Sequence, residues 1–306
     1  MLSKEMRTLS TVYAVQAILE PMGFFSPIKA ARRKRLFKRF PLSDEIWEWA
    51  ISQHRILRGL VPEESTRLRF LATVFLTEKI FHPVDGALVD ERFKVSVAAQ
   101  ACLPLVGLEE GLEWYEDWST IIVTPREYDV KKHDVDEAGV VHEYDDEFAG
   151  EAFDLGPVVL SRVDVEASGW GDGYNVVIHE MAHKLDGRDG EFDGAPPLRP
   201  GMDSNAWREA FSAAYADLRA KAAAPASRRK RGKPKAGRGP RIDVYGAESP
   251  DEFFAVVCEY FFERPELLAG EYPEVFSLLK AFFGRDPSAS AAPCSSGSEA
   301  SLSPIS

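Results

Sequence analysis

A chain of 306 residues, 45% hydrophobic and 28% charged, is long enough to bury a sizeable core as one large domain or two modest ones. Its net charge of −12 argues against direct binding to nucleic acid or to an anionic membrane surface. Three cysteines, Cys102, Cys258 and Cys294, lie far apart with no CxxC pair, which excludes a sulfur-ligated metal site or a disulfide framework and fits a reducing, cytoplasmic setting.

No apolar run approaches the roughly 18 residues of a membrane span. Residues 1–40 are expected to be a leader, partly disordered. Gln16, Glu20 and Pro21 interrupt its apolar stretch, so it makes a poor secretory signal. "ARRKRLFKRF" (31–40) interleaves basic and apolar residues and predicts a solvated helix start.

Residues 41–118 read as helical. Ser43 and the acids after it open a helix with Ile46, Trp47, Ala50 and Ile51 at helical spacing. "PEESTRLRFLATVFLTEKIF" (62–81) starts on Pro62 and carries Leu68, Leu71, Val74 and Phe75 on one stripe. "FKVSVAAQACLPLVGL" (93–108) is almost wholly apolar and predicts a buried helix, with Cys102 as packing.

From residue 119 to 286 the pattern changes. "STIIVTP" (119–125), "VVHEYDD" (140–146) and "GPVVLSRVDV" (156–165) are short β-rich runs, which predict a small mixed sheet. A glycine-rich turn follows, then a helix "YNVVIHEMAHKLDG", and then an amphipathic helix over 204–220. Residues 221–241 carry eight basic residues between Arg228 and Arg241 and predict a mobile loop. The Ser/Ala/Pro-rich tail, 287–306, is expected to be disordered.

Two stretches carry chemistry. His179-Glu180-x-x-His183 sets two imidazoles four residues apart, on one helical face about 6 Å apart along the axis. That spacing lets both reach one zinc, with the glutamate beside the metal to take a proton from zinc-bound water. The motif is short enough to arise by chance. Its setting strengthens it, because Val177, Ile178, Met181, Ala182 and Leu185 would bury two histidines and a glutamate that need partners.

A catalytic zinc needs a third protein ligand. Position 189, where an extended histidine motif would put it, is Asp, and no histidine follows. His133 and His142 lie upstream in charged segments. "ESPDEFFAVVCEYFF" predicts a buried helix with two acids, Glu252 and Glu259, seven residues apart on one side. Glu252 could instead complete a capping box with Ser249. Side-chain physics leaves the two acids even.

"VVIHEMAHKLDGRDGEFDGAPPL" together with "YGAESPDEFFAVVCEYFFERPELL" resembles the Mlc titration factor A family of bacterial zinc metallopeptidases, over roughly residues 30–285. The second stretch is also similar to the catalytic domain of anthrax lethal factor, in the spacing of Tyr245 and Glu252. The resemblance implies an α+β, zincin-like metallopeptidase core and one zinc held by His179, His183 and Glu252. It implies Glu180 as general base, Tyr245 as a hydrogen-bond donor in the transition state, and Glu259 as a residue orienting a ligand histidine. It also implies aminopeptidase-like hydrolysis of peptide substrates and binding to the transcriptional repressor Mlc. A regulatory binding protein with a mainly structural zinc is the alternative. "GPVVLSRVDV" is the expected edge strand for a bound peptide, with Arg162 in it as a candidate substrate contact.

Overall fold

The computed structural model describes residues 27–126, 156–224 and 241–288. The strand expected at 140–146, the histidines His133 and His142, most of the basic segment and nearly all of the tail lie outside the described residues.

The first helix, α1 (Pro27–Arg39), has no buried residue, as its basic sequence requires. It is held at Arg33, whose guanidinium meets Glu78 at 3.3 Å and Glu116 at 3.1 Å. Helix α2 (Asp44–Gln53) starts where the Ser43 hydroxyl accepts the Ile46 amide, with Asp44 and Glu45 favoured by the helix dipole. Helix α3 (Pro62–Glu78) has proline in its first turn, and Glu64 reaches back to the Val61 amide.

α3 stops at Glu78, three residues before the expected end, and Ile80–Pro83 is a strand, β1. Lys79 makes the break. Its buried ammonium donates to the Tyr115 and Trp118 carbonyls and sits 3.7 Å over the Trp118 ring. Burial pushes its pKa down to about 8.

Helix α4 (Glu91–Cys102) is capped by Asp90 and buried from Val95 to Cys102. Strands β2 (Thr120–Thr124) and β3 (Val158–Ser161) complete a sheet ordered β1–β2–β3, with Ile80 opposite Thr120 and Ile122 opposite Val159. Among the described residues all pairings are parallel, where a mixed sheet was expected. β1 therefore joins the stretch read as helical to the stretch after it, and both share one hydrophobic core.

A second difference falls at β3. It ends at Ser161, whose hydroxyl caps helix α5 (Arg162–Ala167) by accepting the Asp164 amide. Arg162 is thus the first residue of a helix rather than a strand residue.

The remaining helices are α6 (Val176–Asp186), α7 (Ser204–Ala223), α8 (Pro250–Glu263), α9 (Pro265–Glu271) and α10 (Pro273–Phe283). α7 runs past residue 221, and Lys221 is a helical residue paired with Asp217 at 2.6 Å, so the basic segment begins later than its composition suggested. Trp207, Phe211, Phe253, Phe254, Phe261, Phe282 and Phe283 form an aromatic core between α7, α8 and α10. Removing one such ring costs about 3–5 kcal/mol. α6 packs chiefly on α8, and also on α4 and β3. No described helix is long and apolar enough to cross a membrane. Cys102 and Cys258 are free and buried.

Candidate metal centre

Helix α6 begins at Asn175, whose side-chain oxygen accepts the Ile178 amide at 3.0 Å. Its apolar face (Val177, Ile178, Met181, Ala182, Leu185) is buried, which leaves His179, Glu180 and His183 half-buried on the other face. The turn Val244–Ala247 delivers Tyr245, and α8 delivers Glu252.

These side chains converge. His179 Nε2 and His183 Nε2 are 3.2 Å apart, and Glu252 Oε2 lies 3.1 Å from the first and 3.6 Å from the second. The three side chains are only 12–19% exposed. Each offers a donor atom within 4.8 Å of the others, so the group could hold a metal ion.

Glu252 does not close a capping box. Ser249 does cap the Glu252 amide at 3.4 Å, but the Glu252 carboxylate turns away from the helix end and toward His179 and His183. Its Oε1 accepts the Tyr245 hydroxyl at 3.1 Å. Its Oε2 is buried and accepts no hydrogen bond: His179 Nε2, 3.1 Å away, is not aligned to donate one, and His183 Nε2, at 3.6 Å, is too far. A buried, unsatisfied carboxylate oxygen is costly unless something else satisfies it. Two imidazole nitrogens and one carboxylate are the donor types that suit zinc.

Glu259 stands behind this group. Its Oε1 is 2.9 Å from His179 Nδ1, and its Oε2 accepts the Asn175 amide. The two acids of α8 that the sequence left even thus take different places, one among the donor atoms and one on the far side of the first imidazole.

Electrostatics follow from burial and these neighbours. Burial opposes charge on His179, yet the contacts to Glu252 and Glu259 and the charge of Glu180 outweigh it and raise its pKa to about 10. Burial would raise Glu252, but His179 and His183 hold it well below the usual carboxylate range. Tyr245 is pushed up by burial and then by the charge of Glu252. Burial raises Glu259.

Arg162 is engaged by other residues. Its guanidinium meets Glu166 at 2.8 Å, donates to the Leu88 carbonyl and sits 5.3 Å from the Phe93 ring. A cavity of about 660 Å³ between loop 193–202 and α7, lined by Pro196, Leu198, Arg199, Trp207 and Phe211, has none of the converging residues in its wall.

The family model described as "Glucose-regulated metallo-peptidase M90" matches residues 28–284. The chain belongs to this family. Among curated proteins it is similar to Mlc titration factor A of Escherichia fergusonii, 34% identical over 241 residues that cover 79% of this chain and 86% of that protein. It is also similar to the proteins of the same name in Escherichia coli, at 32% identity with the same coverage, and Cronobacter sakazakii, at 33% identity over 247 residues.

For this M90 family member, sequence reasoning missed several residues around the site. Asn175 Nδ2 donates to Gln100 Oε1 at 2.9 Å and to Glu263 Oε1 at 2.8 Å. Burial raises the pKa of Glu263 to about 7, against the pull of that bond and of the Gly171 amide. Asp186, at the other end of α6, accepts the Gly194 amide at 2.9 Å and is raised by burial to about 7. The signal for Glu263 was present: it continues the spacing of Glu252 and Glu259 by one more turn.

Proposed function

We propose that the chain is a zinc-dependent peptidase with a zincin-like core, in which His179, His183 and Glu252 hold one zinc. The observation that carries this reading is the convergence of two imidazole nitrogens on a buried carboxylate oxygen that has no hydrogen bond. A zinc ion held here would supply Lewis acidity toward a peptide carbonyl and would make water easier to deprotonate. Glu180 is the general base: it takes a proton from water and returns it to the leaving amine. Tyr245 keeps its hydroxyl proton at neutral pH, since burial and Glu252 raise its pKa, and it turns that donor from Glu252 to the carbonyl oxygen as charge develops there. Glu259 holds His179 through Nδ1, so that Nε2 faces the metal. The peptide lies along β3, an edge of the described sheet.

Membership of a metallopeptidase family supports hydrolysis, and the resemblance noted in the sequence supports aminopeptidase-like action on small substrates. The name of the relatives, Mlc titration factor A, supports a regulatory role through an Mlc-like repressor.

The test combines zinc per chain, by elemental mass spectrometry, with turnover of aminoacyl-coumarin amides. The wild type carries about one zinc, and Glu180→Gln keeps it while losing at least ~100-fold in turnover. Equal turnover in Glu180→Gln would remove Glu180 as the base. A folded wild type that takes up no zinc on resupply would remove the enzyme reading.

The relatives' name also favours a second reading, a binding protein that sequesters a repressor around a structural metal. A zinc-loaded wild type that binds Mlc and cleaves no peptide would select it.

A further inference from the structure

Helix α6 needs a cap at Asn175, and Ser, Thr or Asp would accept the Ile178 amide as well as Asn does. What those residues lack is a pair of side-chain N–H donors. In this structure both donors of Asn175 are used, on two different elements: one goes to Gln100 of α4 and one to Glu263 of α8. Asn175 is fully buried, and its backbone is equally engaged. Its amide donates to Glu259 Oε2, and its carbonyl accepts the His179 amide at 2.9 Å.

These bonds close a ring. Asn175 N–H reaches Glu259, the other oxygen of Glu259 takes His179 Nδ1, and His179 N–H returns to the Asn175 carbonyl. The ring fixes the His179 imidazole relative to its own backbone. The two side-chain bonds of Asn175 then fix the ring relative to α4 and α8. Gln100 is itself held by Ser96, and Ser96 Oγ is 2.7 Å from His54 Nε2. A continuous buried polar chain therefore runs from the end of α2, through α4, to the first histidine of the metal centre.

Resting on the zinc reading above, we infer that Asn175, gripped by Gln100 and Glu263, is a positioning residue that aims His179 at the metal. Through it the N-terminal helices act on metal affinity without touching the metal. Neither Asn175 nor Gln100 contacts the donor atoms, so their effect passes through the orientation of one imidazole.

The experiment uses the full chain, stripped of metal, with zinc alone as the ligand. Wild type, Asn175→Ser and Gln100→Leu are compared by chelator competition for zinc Kd and by the absorption spectrum of the Co(II)-loaded proteins, beside the Tm of each metal-free protein. Asn175→Ser keeps a cap and loses both donors. It is expected to weaken zinc binding several-fold to about 10-fold, less than the loss of Glu259, which bonds the ligand directly, and to alter the cobalt spectrum. Gln100→Leu leaves the cap of α6 untouched and is expected to weaken zinc binding several-fold, so it carries the test if Asn175→Ser does not fold. A fall in Tm with zinc Kd within twofold of wild type and an unchanged cobalt spectrum would show a purely structural role and overturn the inference. A wild type that takes up no zinc would overturn the zinc reading and this inference with it. Equal binding by wild type and variants would overturn this inference alone.

Discussion

The two sides of His179 are built on opposite plans. Behind the imidazole, His54, Ser96, Gln100, Ser168, Asn175, Glu259 and Glu263 are at most 6% exposed and satisfy one another. In front of it, two ring nitrogens face each other, a carboxylate oxygen lacks a hydrogen bond, and Tyr245 is 45% exposed. The back is complete as protein, whereas the front is complete only with something added. A fully satisfied buried network rigidifies its members, and a site left open on one side can use that rigidity.

The largest expected effect separates the two sides directly. Glu252→Ala removes a donor from the front and should weaken zinc binding by more than the roughly 10–100-fold expected for Glu259→Ala, which removes only the support of His179. Zinc titration against a competing chelator checks the order. Equal losses would mean that the carboxylate behind the ring matters as much as the one beside it, and the contrast would collapse.

The next effect belongs to the back alone and is set by pH. Burial pushes the pKa of His54 down from 6.5 to about 4, outweighing the opposing hydrogen bond with the Ser168 carbonyl. The folded protein keeps this ring neutral while the unfolded chain protonates near 6.5, so between those values the unfolded chain binds more protons. The stability tied to His54 is present above pH 6.5 and is lost as pH falls toward 4, an amount of about 3 kcal/mol. Urea unfolding at several pH values should show a steeper acid loss in the wild type than in His54→Gln. Parallel curves would mean that the ring is not held neutral.

A smaller effect tests how α8 is seated. Gly194 has φ of +79°, and a Cβ there would lie 2.6 Å from the Pro250 carbonyl, two residues before Glu252. Gly194→Ala should therefore cost about 1–3 kcal/mol, read from the urea midpoint, and should disturb the front more than the back. A neutral substitution would show that loop and helix part easily.

Much of this was legible in the sequence because it depends on local spacing. His179 and His183 share a face by helical periodicity, and Ser43 and Ser249 mark helix starts by their capping chemistry. Tertiary partners were not legible. Lys79 ends α3 early because carbonyls about forty residues away accept its ammonium, and Glu252 leaves its cap for imidazoles about seventy residues upstream. Asn175 looked like part of a glycine-rich turn, since neither Gln100 nor Glu263 is near it in the chain.

The smallest expected effect concerns Arg162, which belongs to neither side. As a strand residue it would have alternated toward or away from the site, but as the first residue of α5 it is drawn to Glu166 one turn on, to the Leu88 carbonyl and to the Phe93 ring. The ion pair is an exposed i,i+4 pair, with side chains 25% and 57% exposed, and such pairs contribute about 0.3–0.5 kcal/mol. Arg162→Ala should lower stability by no more than ~1 kcal/mol, with the lost carbonyl bond included, and should leave zinc Kd and peptide KM within twofold of wild type. A KM raised several-fold with kcat unchanged would mean that the guanidinium leaves Glu166 for the substrate. It would then be a third element of the front, recruited only when a peptide lies along β3.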